Sequence, residues 1–271
     1  MTLSSIAFVG GGNMAGALIG GLLRSGWSAE AVAVVEPSAA QRETLASRFG
    51  VRTLAEADAT LGRADCVVWA VKPQLFKAAS APCAAHVGGA LQLSVMAGIR
   101  SDAIALATGS DRVVRAMPNT PALIGEGMSG LFARASVSAE ERAQVEKLLA
   151  PTGQTLWVDR EEQLDAVTAM SGSGPAYVFY LLEAWIEAGT AMGLSAAQAR
   201  QLAMATLAGA TSLARDSDET PAMLRERVTS KGGTTHAAIT SLEADGVRAA
   251  FVRALKAAQQ RAGELGDEFG R

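Results

Sequence analysis

The sequence predicts an α/β domain over residues 1–160, built on a parallel sheet with helices on both faces, followed by a separate all-α domain over residues 161–271. Up to about residue 160, short β-rich runs alternate with helical patterns, the order expected when parallel strands are joined by helices. After Asp159 the chain turns to alanine-rich helical stretches with hardly any β-branched clusters, so no further sheet is expected. A length of 271 residues with 49% apolar content is enough for two ordinary domains with sizeable cores.

Ile6-Ala-Phe-Val9 is the first predicted strand, running straight into a glycine-rich turn and then a helical pattern. Val32–Val35 and residues 65–71, 90–95 and 112–116 are the other predicted strands, each bounded by turn or helical sequence. In the second half, helical runs are broken at 171–175 (Ser-Gly-Ser-Gly-Pro), 193–195, 216–221 and 231–233. The runs at 175–193 and 196–215 carry few charges, and alanine, leucine and methionine spread around most of their circumference. A helix apolar on most faces must be buried, and a bundle of about 110 residues cannot hide that much surface alone. A subunit interface is therefore expected.

Composition narrows the partners. The 24 basic and 27 acidic residues give a net charge of −3, with no lysine or arginine run that would track a phosphate backbone, so nucleic acid is not expected. Of the two cysteines, Cys66 lies in an apolar strand-like run, the setting of a small buried thiol; with Cys83 distant, neither a disulfide nor an oxidising compartment is expected. The first strand begins by about residue 5, which leaves no room for a secretory leader and predicts a cytoplasmic protein. The longest apolar stretch, 176–193, is interrupted by Glu183 and Glu187, each costing about 2.5 to 3.5 kcal/mol at a bilayer centre, so no membrane span is expected. His86 and His236 are the only histidines and no ligand spacing links them to the cysteines, so no metal site is expected. His86 sits in a loop-like stretch and His236 neighbours a glycine turn, and surface or supporting roles are expected for both.

Two glycine-rich stretches point to chemistry. Gly10-x-Gly12-x-x-Ala15 follows the first strand and opens a helix, the setting that makes this pattern a dinucleotide fingerprint: Gly10 permits the tight turn, and Gly12 lets a pyrophosphate approach the helix N-terminus. A plain glycine turn is the bland alternative. The fingerprint also predicts an acidic residue ending the second strand, and Glu36 stands there, where it can accept from the ribose hydroxyls of the adenosine half. Its charge would repel a 2′-phosphate, although Ser38 and Arg42 on the next turn can offset it. Gly10, Gly11, Gly12, Asn13, Met14, Glu36 and Ser38 are the cofactor candidates here. The second stretch, Lys231-Gly-Gly-Thr-Thr235, leads into a helical run, where two glycines allow a backbone nest for an anion and Thr234 or Thr235 can instead simply cap the helix.

Residues 224–243 (LRERVTSKGGTTHAAITSLE) closely resemble the signature of pyrroline-5-carboxylate reductases. Gly10–Ala15 (GGGNMA), Ala70-Val-Lys-Pro73, 115–121 (RAMPNTP) and 171–177 (SGSGPAY) resemble that family's other blocks, in its order, so the likeness spans nearly the whole chain. The resemblance implies an N-terminal Rossmann-like domain and a C-terminal helical domain that dimerises, often into a ring of dimers. It also implies hydride transfer from NADH or NADPH to the C=N carbon of a cyclic imine, as the last step of proline synthesis. The substrate carboxylate would be held by Ser230, Gly232, Gly233 and Thr234, with Thr235 the catalytic candidate beside the ring nitrogen. Ala70, Val71, Lys72 and Pro73, with Ala97, Gly98 and Asn119, would line the cofactor's ribose and nicotinamide. Lys72 also reads as a solvated charge at a strand end, and Pro-Asn-Thr-Pro as turn chemistry. Many members of the family carry a basic residue where this chain has Glu36-Pro37, and this departure predicts that NADH serves at least comparably with NADPH.

Related imine reductases fit the same pattern. β-Hydroxyacid dehydrogenases share the two-domain plan, but the positions of their lysine and asparagine after Gly172-Ser-Gly174 hold Val178 and Leu182. A non-catalytic dinucleotide sensor is the remaining alternative, and it leaves the second glycine stretch without a task.

Overall fold

The structure is a computed structural model that describes residues 3–269. Its first strand, β1 (Ile6–Val9), runs through the glycine turn into α1 (Asn13–Arg24), and β2 (Val32–Val35), α2 (Ala39–Phe49) and β3 (Arg52–Leu54) follow. Next come β4 (Cys66–Trp69), the short helices α3 (Phe76–Ser80) and α4 (Ala84–Val87), β5 (Leu91–Ser94), α5 (Ser101–Thr108) and β6 (Val113–Met117). The sheet is completed by β7 (Gly127–Ala133), α6 (Ala139–Leu149) and β8 (Gly153–Trp157). His86 lies within α4, so the stretch expected to be a loop is helical.

The eight strands are ordered β3-β2-β1-β4-β5-β6-β7-β8. All neighbours from β3 to β6 are parallel; β7 runs antiparallel to β6, and β8 is parallel to β7. The sheet is thus mixed rather than purely parallel, and β3, β7 and β8 add to the predicted strands. Small residues hid β7: a Cβ on Gly130 would lie 2.6 Å from Val167, so packing there demands glycine where strand propensity would call for a branched side chain.

Strand alternation divides the core into two layers. Ile6, Phe8, Val32, Val34 and Val68 face one cluster with Leu18, Ile19 and Leu22 of α1, while Ala7, Val9, Val67 and Trp69 face a second with Phe76, Ile99 and Ile104. Gln92 is buried within the sheet and accepts from Trp69 Nε1 at 2.9 Å while its own amide donates to the Val87 and Ala90 carbonyls, so no polar atom of this pair is stranded.

Beyond the sheet lie α7 (Gln163–Val167), a π-turn over Thr168–Gly172, and then α8 (Gly174–Ala191), α9 (Ala196–Arg215), α10 (Pro221–Arg227), α11 (Thr234–Ala244) and α12 (Val247–Phe269). By internal contacts the described residues up to Gly174, with those from Ala257 onward, form one unit, and 175–256 form another. This differs from the division after residue 160. Glu161 and Asp165 are held by Arg115 and Arg100 of the first unit, and Val167 packs on Gly130, so the segment before Gly174 stays with the sheet although it is helical.

In the second unit, α9 is capped by a reciprocal Ser195–Gln198 box, and α8 approaches it so closely that a Cβ on Gly189 would lie 2.7 Å from that of Ala199. Tyr177 and Phe251 meet edge to face with centroids 6.1 Å apart. Much of α8 is left uncovered, with Phe179 and Tyr180 59% and 72% exposed and Leu181 and Trp185 also exposed. Among the described residues, no helix is long and apolar enough to cross a membrane.

Candidate active site

The strand order reverses between β1 and β4, and at that point the C-terminal ends of parallel strands leave a crevice of the kind in which α/β sheets bind ligands. The glycine turn sits there. Gly10 has φ +96°, and its N–H donates to the Val35 carbonyl at 2.9 Å; a Cβ on it would lie 2.7 Å from the Ala70 carbonyl oxygen. The turn, the end of β2 and the Ala70-Val71 exit from β4 are thereby brought together. Gly12 differs: a Cβ there meets nothing within 4 Å, so packing does not require glycine at that position. Its openness, and the absence of any side-chain cap on the 12-residue α1, leave backbone N–H groups facing outward from a helix N-terminus, which fits a dinucleotide pyrophosphate. Asn13 is exposed at this end and Met14 is half-buried against the core.

Glu36 ends β2 as expected, but its carboxylate is already at work within the chain. Oε2 accepts from Gly11 N and Oε1 from Ser38 N, both at 2.9 Å. Ser38 caps α2 through its hydroxyl, which accepts from Gln41 N. Arg42 turns inward, with Nη1 donating at 2.8 Å to the carbonyls of both Glu36 and Pro37. Gln41 was not singled out from the sequence; its amide donates to the Gly11 carbonyl and ties α2 to the glycine turn, and its only sequence signal is its place one turn into α2.

Lys72 is exposed and precedes a short 3-10 turn beginning at Pro73. Ala97 and Gly98 lie on the loop after β5, partly exposed, and Gly98 turns with φ +72°. Asn119 is more committed than the sequence implied. Its amide nitrogen donates to Ser171 Oγ at 3.1 Å and to the Ser171 carbonyl, and its oxygen accepts from Met128 N at 2.9 Å, so the side chain joins the 115–121 block to the 171–177 block at the π-turn. The turn that follows it, Thr120–Ile124, packs on α1.

In the second unit, the Lys231-Gly-Gly stretch forms a tight turn. Gly233 N donates to the Ser230 carbonyl at 3.0 Å, Gly232 takes φ +77°, and Gly233 is the N-cap of the 11-residue α11. Thr234 and Thr235 are the first helical residues rather than caps, and no side chain caps α11. Among the described residues neither threonine hydroxyl has a hydrogen-bond partner, and Thr235 is half-buried while Thr234 and Ser230 are exposed. A helix end with uncapped N–H groups beside a free hydroxyl can hold a carboxylate and present one more hydrogen bond. His236, third in α11, is exposed.

Residues 161–265 match the family described as pyrroline-5-carboxylate reductase dimerisation, and residues 5–98 match the NADP oxidoreductase, coenzyme F420-dependent family. The pyrroline-5-carboxylate reductase of Pseudomonas aeruginosa is 45% identical, the alignment covering 100% of each chain. The solved pyrroline-5-carboxylate reductase of Coxiella burnetii superimposes with a TM-score of 0.90 at 36% identity, over 97% of this chain and 99% of that one. That of Plasmodium falciparum, solved with NADP bound, gives a TM-score of 0.87 at 26% identity over 98% and 99%.

Proposed function

The chain belongs to the pyrroline-5-carboxylate reductase family, and we propose from this that it reduces the cyclic imine 1-pyrroline-5-carboxylate to L-proline with NADH or NADPH. The observation that carries the assignment of chemistry to residues is the uncapped N-terminus of α11, where Gly232 and Gly233 shape a turn and Thr235 offers an unengaged hydroxyl.

The backbone of Ser230, Gly232 and Thr234 holds the substrate carboxylate, with Gly233, whose own N–H donates to the Ser230 carbonyl, shaping the turn and the helix dipole of α11 favouring the charge. Thr235 donates or accepts a hydrogen bond beside the ring nitrogen and so fixes which face of the ring is presented. The nitrogen takes its proton from water, and the protonated imine is already electrophilic, so positioning and exclusion of water are the main demands on the protein. A bound dihydronicotinamide supplies the hydride that the C=N carbon accepts. Gly10, Gly11, Gly12, Asn13 and Met14 hold the dinucleotide's phosphates, Glu36 and Ser38 its adenosine ribose, and Ala70, Val71, Lys72, Pro73, Ala97, Gly98 and Asn119 the other half. For Asn119 this is an indirect role, through the Ser171 and Met128 bonds that fix the turn beside α1.

The exposed apolar side chains of α8 support a homodimer or a ring of dimers, and two free, buried cysteines fit a cytoplasmic location. Oxidation of NADH and of NADPH, followed on adding pyrroline-5-carboxylate and its six-membered homologue with proline measured as product, tests the assignment. Dinucleotide binding without any imine-dependent oxidation would replace it with a non-catalytic sensor.

A further inference from the structure

Two glycines far apart in sequence meet at the loop after β5. A Cβ on Gly98 would lie 3.2 Å from the carbonyl oxygen of Leu265 in α12, and a Cβ on Gly266 would lie 2.6 Å from Nη2 and 2.8 Å from Cζ of Arg100. Arg100 is not free to retreat. Its Nη2 donates to Asp165 Oδ2 at 2.9 Å and its Nη1 to Oδ1 at 3.4 Å. Burial works against its charge, but the hydrogen bond and charge of Asp165, with Glu161 and Asp267, raise its pKa overall. The next residue is pinned as well, with Ser101 N and Oγ donating to the two oxygens of Glu161 at 2.6 Å. Arg115, 4% exposed, completes the chain of contacts by donating to Glu161 at 2.8 Å. On the other side of the loop, Met96 and Ile99 are buried in the cluster against which Phe269 packs.

Glycine inside a helix costs about 0.5 to 1 kcal/mol relative to alanine. Gly266 lies in the last turn of α12, and the three atoms that an alanine Cβ there would meet most closely all belong to Arg100. Residues 96–98 are thus gripped between a sheet strand, a locked arginine and a helix end that arrives from more than 160 positions further along the chain.

We propose that the last turns of α12, with Arg100 and Asp165 as their seat, are a positioning element that sets the path of Ala97–Gly98 and through it the affinity for the dinucleotide. This rests on Ala97 and Gly98 contacting the cofactor. Arg100, Asp165 and Gly266 act through the loop and touch neither substrate nor dinucleotide.

The test uses the full chain with Gly266→Ala and Arg100→Lys, the second keeping the charge but losing the planar fork that pairs with Asp165. NADH and NADPH binding is read by fluorescence and steady-state rates with pyrroline-5-carboxylate by absorbance. Each folded variant should raise the dinucleotide Kd and KM about three- to thirtyfold, the range for coupling through packed side chains, while the imine KM stays within about twofold. A merely structural role would lower thermal stability and leave the dinucleotide KM unmoved, and that outcome overturns the proposal, as does an equal rise in both KM values. If one variant does not fold, the other decides. Gly10→Val reports separately on the cofactor site: normal dinucleotide binding by that variant sinks the site itself, whereas lost binding there with normal binding in Gly266→Ala and Arg100→Lys sinks only the positioning role.

Discussion

Glu36 accepts the backbone N–H of Gly11 at 2.9 Å, so the acidic residue that ends the second strand is bonded into the glycine turn itself. With the other oxygen on Ser38 N and Arg42 turned to the carbonyls of Glu36 and Pro37, a 2′-phosphate would meet a fixed carboxylate and an Arg42 guanidinium that is already engaged. NADH is therefore expected to serve at least comparably with NADPH, judged by kcat/KM. A preference for NADPH above about a hundredfold, roughly 2.7 kcal/mol of discrimination, would mean that Arg42 swings out and dominates.

Neither histidine is expected to be an essential acid. His236 is exposed in the first turn of α11 and His86 sits in the short α4, away from any of the matched blocks. Changing both to glutamine should leave most activity, and a fall in kcat of about a thousandfold or more in the folded double variant would contradict this.

The thiols give a pH expectation with a definite sign. Burial pushes Cys66 up to about 12 and Cys83 up to about 11. Unfolded thiols ionise near 8.5, so the contribution of these two groups is fully present below about that pH and is lost as pH rises through 11 to 12. At about pH 8 the native protein should resist iodoacetamide and the unfolded chain should react at both positions. Fast alkylation of native protein would show that the core around Cys66 opens readily.

How far the sequence carries can be judged residue by residue. β1 and β2 were legible because their apolar runs end in turn chemistry, and the glycine turn because strand, spacing and helix coincide. The strands β7 and β8 were not, since Gly127 and Gly130 are dictated by contacts with Ala122, Thr152 and Val167, and local propensity carries no trace of such partners. The same holds at the site. Thr235 and the glycine turn before α11 stand out by motif, whereas Arg100 and Asp165 pair across 65 positions, and Asn119 and Ser171 across 52, with nothing in either neighbourhood to announce it.

The helix α8 presents Phe179, Tyr180, Leu181 and Trp185 in an exposed state, more apolar surface than a solitary subunit keeps in water. Stable pairs bury about 1,200 to 2,000 Å² in total. Light scattering should give twice the subunit mass or a multiple of it, and a stable, active monomer at micromolar concentration would remove the case for assembly through this face.

The most direct test of the active-site assignment compares Thr235→Ala with Gly233→Val in steady-state assays. A Cβ on Gly233 would already lie 2.7 Å from Ser230 Oγ, so valine fills the turn and keeps the carboxylate from the helix N-terminus. That variant should raise the imine KM. Thr235→Ala should instead lower kcat about ten- to a thousandfold, as for loss of one positioned hydrogen bond, with NAD(P)H affinity nearly unchanged. If both variants fold and turn over like the parent, the turn before α11 merely starts a helix and the reaction takes place elsewhere.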